Sequence, residues 1–166
     1  MAVKKILLLG NPVLRSKCRI IRDCSSASTR AAIRNLRDTL EDFRSRHAFG
    51  RGIAAPQIGL PVRIIFIGLD WLGPLINPKI TKRSKKKIIL WDDCFSFPDI
   101  LVRVRRHEWV EVSYQDESGA RKELKARNSL SELLQHEIDH IDGILAIDRA
   151  ISAKDIILRS ELRPPP

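Results

Sequence analysis

Apolar residues between positions 28 and 43 recur at Ile33, Leu36, Leu40 and Phe43, a spacing that gathers side chains on one face of a helix behind a Ser/Thr cap. The pattern changes from Val62 to Ile67, a short apolar run entered through Gly59-Leu60-Pro61, which predicts a buried strand. A second strand is expected from Ile88 to Trp91. Near Trp109, Val110, Val112 and Tyr114 alternate with Glu111 and Ser113, and Asp116 to Gly119 form a turn signal. Together these predict an antiparallel hairpin returning through Lys122 to Ala126. Ser129-Leu130-Ser131-Glu132 has the form of a capping box. With Leu130, Leu133, Leu134 and Ile141 it predicts a helix ending near Gly143. Ile151, Ile156, Ile157 and Leu158 then suggest a final apolar turn or helix. Strands that are not regularly separated by helices point to an α+β fold, antiparallel or mixed, packed around the last long helix.

The 166 residues fit one domain over residues 1–162, with 163–166 expected as an unstructured tail. A chain of this size buries enough surface to fold without disulfides, which excludes intrinsic disorder for most of it. Cys18, Cys24 and Cys94 are an odd, irregular set, and this favours a reducing compartment and a cytoplasmic location. The apolar run Ile6 to Leu9 is too short for a signal peptide core or a membrane span, so no membrane association is expected.

Chemistry concentrates in Gln135-His136-Glu137-Ile138-Asp139-His140. On a helix His136 and His140 stand one turn apart and can present two imidazoles to one metal ion, with Glu137 beside it as a proton carrier. Alone, this HExxH pattern is as readily explained by chance. A hydrolytic metal needs a third protein ligand and an open position, and Cys94 just after the second strand is the leading candidate, against the plainer reading of a small buried thiol. A third segment, Gly50-Arg51-Gly52-Ile53-Ala54-Ala55-Pro56-Gln57, combines small residues that permit close backbone approach with a polar amide.

The three segments, in this order and at these separations, resemble the peptide deformylase family, whose motifs run GxGxAAPQ, EGCLS and QHExDH. The likeness extends from Gly10-Asn11-Pro12 to Asp148-Arg149. It implies that Cys94, His136 and His140 hold one divalent metal, iron(II) in the cell, with zinc or nickel as alternatives. Glu137 would be the general acid and base. Gln57 and the backbone N–H of Phe95 would bind the formyl oxygen, and Gly52 would let substrate pair as an extended strand. The implied substrate is an N-formylated nascent peptide, and the products are formate and a free amino terminus.

The second motif departs from the family pattern, reading Asp92-Asp93-Cys94-Phe95-Ser96. Asp92 keeps the carboxylate on a shorter arm, and the family's ion pair implies Arg106 as its partner, reached through a small backbone shift or through water. Asp93 places a charge where the family has glycine, and its effect depends on whether it faces metal or solvent. Glu132 lies on the ligand face of its helix. It serves either as the capping-box partner of Ser129, the favoured reading, or as an acidic wall of the substrate pocket. Arg51 either touches substrate or is a solvated side chain. His47 and His107 are read as ordinary histidines, and Asp139 receives no catalytic task.

Alternatives to a formyl-methionyl deformylase are a related hydrolase with another N-acyl substrate, a zinc protease, and a non-catalytic homologue bound to a ribosome or RNA surface. The net charge of +10 bears on the last. Residues 1–83 carry 16 Lys/Arg and 5 Asp/Glu, whereas residues 84–166 carry 14 and 15. The positive excess therefore sits in the half without metal ligands, including Arg30, Arg34 and Arg37, and suits ribosome association as well as simple solubility. A monomer is expected.

Overall fold

The computed structural model describes residues 3–47 and 49–162, so the expected tail at 163–166 lies outside the described residues. Helix α1 spans Ala27–His47, and Ser26 caps it by accepting the Thr29 N–H through its hydroxyl at 3.1 Å. Eight strands follow: β1 Gly52–Ala54, β2 Ile64–Ile67, β3 Pro74–Arg83, β4 Lys87–Asp93, β5 Ile100–His107, β6 Trp109–Gln115, β7 Arg121–Arg127 and, after helix α2 at Asn128–Ile141, β8 Ile156–Leu158. They form a five-stranded sheet in the order β1-β2-β3-β6-β7 and a three-stranded sheet in the order β4-β5-β8. All pairings between named strands are antiparallel.

The β2 run is continuously apolar because both of its faces are covered. Ile65 and Ile67 pack with Leu133, Leu134, Ile138 and Ile141 of α2, while Ile64 joins Ile33, Leu36 and Leu40 of α1. A third cluster, with Leu14, Val102, Val104 and Leu145, closes around Cys94 under the smaller sheet. Helix α2 touches strands of both sheets, which accounts for its burial from Ser131 to Ile141. Gly143 ends the helix with φ 76°, and a Cβ there would stand 2.6 Å from the Arg15 carbonyl oxygen, so only glycine fits this close crossing.

Three expectations need correction. The capping box is absent: α2 begins at Asn128, the cap position is Arg127 without a side-chain bond, and Glu132 is engaged elsewhere. The segment after Arg149 is not a final helix, because residues 156–158 pair with β5 as the edge strand β8, between short 3-10 turns. Strands β1, β3 and β5 have no counterpart in the expected pattern, while the expected hairpin appears as β6 and β7.

Leu134 is fully buried between α2 and β2. Leu134→Ala is expected to lower the urea unfolding free energy by about 2–5 kcal/mol through lost burial and a residual cavity.

Candidate metal centre

Two elements build the centre. The four-residue separation on α2 places His136 Nε2 3.2 Å from His140 Nε2, and β4 ends by delivering Cys94, whose Sγ lies 3.3 Å from His140 Nε2. All three ligand atoms lie within 4.8 Å of one another, and all three residues are buried. One thiolate and two imidazole nitrogens converging in this way form a donor set suited to a divalent transition metal with a position left for water or substrate.

Behind the ligands runs a chain of polar and charged contacts. His136 Nδ1 is 2.8 Å from Asp92 Oδ1, and Arg106 Nη2 donates to Asp92 Oδ2 at 2.8 Å. Arg106 also pairs with Asp139, which receives two further bonds from Arg149 at 2.7 and 3.2 Å. Asp92 and Arg106 are 2% and 3% exposed. Burial alone would raise the Asp92 carboxyl, but His136 and Arg106 beside it hold it well below the usual carboxylate range. The shorter arm of Asp92 thus reaches Arg106 directly. Asp139, given no catalytic task from the sequence, is the carboxylate that joins the two arginines, and Arg149 is the link that the sequence did not single out; its signal was an arginine shortly after the helix.

A cavity of about 420 Å³ opens beside the ligands, lined by Gln57, Cys94, Phe95, His136 and Glu137, with Arg51, Gly52, Asp93 and Glu132 on its walls. His140, Asp92 and Arg106 are not on this wall. Glu137 is 3% exposed, and its Oε2 has no hydrogen-bond partner among the described residues. Burial pushes its carboxyl up to about 7, against the pull of His136. Gly52 makes room for it, since a Cβ there would stand 2.8 Å from Glu137 Oε1.

Gln57 is fixed by its own backbone surroundings. Its Oε1 accepts the Ala54 N–H at 2.9 Å, so its amino group points to Ser96 Oγ at 3.3 Å and Cys94 Sγ at 3.6 Å. Phe95 stacks on Phe43 with ring centres 3.9 Å apart. Glu132 accepts from Arg51 Nη2 at 2.7 Å, and Arg51 also bonds the Ser129 carbonyl at 3.0 Å. The favoured capping role of Glu132 therefore gives way to a wall position, and Arg51 is an anchored side chain. Asp93 is paired with Arg159 at 2.8 Å. His107 is satisfied by the Ser84 carbonyl at 2.6 Å, and His47 stacks on Phe43 at 4.3 Å.

The family model described as polypeptide deformylase matches residues 3–155. A peptide deformylase from Picosynechococcus is 38% identical over 162 residues, covering 93% of this chain and 82% of that protein. One from Syntrophomonas wolfei is 37% identical over 155 residues, covering 93% and 97%. The crystal structure of a Synechococcus elongatus peptide deformylase in complex with actinonin has a TM-score of 0.84 at 33% identity, covering 93% of this chain and 82% of that one. The Thermotoga maritima peptide deformylase structure has a TM-score of 0.82 at 29% identity, with 92% and 100% covered.

Arg106→Met leaves Asp92 and Asp139 buried without their shared cation, and is expected to cost about 3–5 kcal/mol in urea unfolding. The Asp92 contribution to stability is present above the unfolded carboxyl value of about 3.9 and is lost as the pH falls towards the lower folded value. Asp92→Asn should therefore flatten the acid limb of a stability against pH profile.

Proposed function

This chain belongs to the peptide deformylase family, and on that footing we propose that it hydrolyses N-formylated nascent peptides to formate and a free amino terminus. One divalent metal is held by Cys94, His136 and His140, iron(II) in the cell and zinc or nickel as alternatives. When bound, the metal supplies a Lewis acid that polarises the formyl group and makes water reactive near neutral pH. The observation that carries the reading is the buried Glu137 carboxyl, whose Oε2 has no hydrogen-bond partner among the described residues, beside three converging ligand atoms.

Glu137 takes the proton of the attacking water and returns it to the departing peptide nitrogen, a role suited to a carboxyl buried beside the ligands with one oxygen left free. Gln57, with its amino group aimed into the site, and the Phe95 backbone N–H donate to the formyl oxygen as negative charge develops on it. The main chain at Gly52 and β1 pairs with the extended peptide. Behind them, the Asp92 carboxylate fixes the orientation of His136 through its Nδ1.

A second reading keeps this chemistry and changes the substrate. It is favoured by the polar wall formed by the Arg51–Glu132 pair, which suits a polar residue next to the formyl group better than a long apolar one. Comparing kcat/KM for formyl-methionyl and formyl-glutaminyl tripeptides separates the two: preference for the methionyl substrate supports the first reading, preference for the other supports the second.

Location in the cytoplasm, action as a monomer and contact with the ribosome through the basic N-terminal half complete the proposal. Arg30, Arg34 and Arg37 stand exposed at i, i+4 and i+7 along α1 and offer one positive stripe to RNA.

Glu137→Ala is expected to cut formate release at least about 100-fold while metal content, measured by plasma mass spectrometry, stays at wild-type level. Reversing the charge of Arg30, Arg34 and Arg37 together is expected to abolish ribosome co-sedimentation without changing formate release from a free tripeptide.

A further inference from the structure

The rim of the cavity is joined by a side chain from the end of the chain. Arg159 follows β8, which is held on β5 with Ile100 opposite Leu158 and Val102 opposite Ile156. Its backbone N–H donates to the Asp99 carbonyl at 2.7 Å and its Nε to the Pro98 carbonyl at 3.0 Å. Its Nη2 donates to Asp93 Oδ2 at 2.8 Å, and the guanidinium carbon lies 5.1 Å from the centre of the Phe49 ring.

Asp93 and Phe49 both line the cavity but come from different segments. Asp93 immediately precedes Cys94, whereas Phe49 lies in the connection from α1 to Gly52 and meets Phe43 and Phe95 edge-on at 5.3 and 6.3 Å. The planar guanidinium can serve both at once, giving its edge to a carboxylate and a carbonyl and its face to an aromatic ring. It cancels the charge of Asp93 beside a ligand that is itself anionic when it binds metal. It also holds the exposed Phe49 on the rim.

We propose that Arg159 is a positioning residue of the substrate site, coupling the C-terminal segment to peptide binding by neutralising Asp93 and clamping Phe49 across the rim. The inference rests on the deformylase reading of the cavity. Among the described residues Arg159 bonds to Asp93, Pro98 and Asp99 and stacks on Phe49, not to the ligands or Glu137, so its loss should alter how peptide is held more than how the bond is broken.

The test uses the metallated full chain, a formyl-methionyl tripeptide, and hydrogen exchange of residues 93–99. Arg159→Ala is expected to raise KM about fivefold and leave kcat within about twofold, the scale of one partly exposed ion pair plus one cation–π contact. Exchange of residues 93–99 should quicken while that of α2 is unchanged. Arg159→Lys, which can still meet Asp93, should recover part of the KM. Asp93→Gly in the Arg159→Ala background should also lower KM by removing the uncompensated charge. Unchanged KM and exchange in Arg159→Ala overturn the proposal, as does a defect relieved by neither second variant or a fall in kcat that tracks loss of metal. If the wild-type protein releases no formate, the deformylase reading fails, and the exchange data alone then decide whether Arg159 clamps the 93–99 segment.

Discussion

The site depends on a run of polar contacts from His136 through the buried Asp92 and Arg106 to Asp139, closed at the surface by the exposed Arg149. Each charge taken from water is costly, and the cost is met only if every partner is in place. The run ties β4 to β5 and both to α2, so the strand that delivers Cys94 and the helix that delivers the histidines are held in one arrangement. Arg106 stands four residues beyond Val102, the strand neighbour of Asp92, and spans that gap with its long side chain. A weaker tie would leave the thiolate and imidazoles without a fixed separation.

The polar interior is supported by apolar packing on either side. Helix α2 is buried almost throughout because the large sheet covers one part of it and the small sheet another. This makes a dry environment in which the Glu137 carboxyl is lifted towards neutrality and Gln57 keeps one orientation. Close packing also sets the residue types: Gly52 admits the Glu137 carboxylate, and any side chain there would displace it. The cavity thus combines a rigid reacting centre with a rim whose ion pairs, Arg51–Glu132 and Asp93–Arg159, are partly open to water.

The ligand residues were legible because their spacing encodes geometry. Two histidines four apart on an apolar-patterned helix must share a face, and ordered motifs around Gln57 and Cys94 supplied the likeness that joined them. The elements that escaped have physical reasons. Strand β3 is interrupted by Asn77 and Pro78, with Asn77 at φ 51°, one register shift between Ile76 and Lys79 and a second between Ile80 and Lys82, so it lacks a clean alternation. The exposed Arg103 and Arg105 alternate in β5 with buried Val102, Val104 and Arg106, and a buried arginine disguises the apolar face. Glu132 was misread because Ser-x-x-Glu spacing satisfies a local rule, while the partner that claims it, Arg51, is 81 residues away.

By itself the sequence determined the α+β class, the two long helices, the β6–β7 hairpin and the set of residues able to bind a metal, since these follow from local periodicity and ordered motifs. Tertiary structure decided that Asp139 joins Arg106 to Arg149 and Glu132 goes to Arg51, that Glu137 Oε2 has no hydrogen-bond partner among the described residues, and that the chain after Arg149 returns as a strand to the edge of β5. Those outcomes depend on burial and on contacts between distant segments. An ion pair's partner and a carboxyl's charge are set by what surrounds them in space, which no spacing along the chain records.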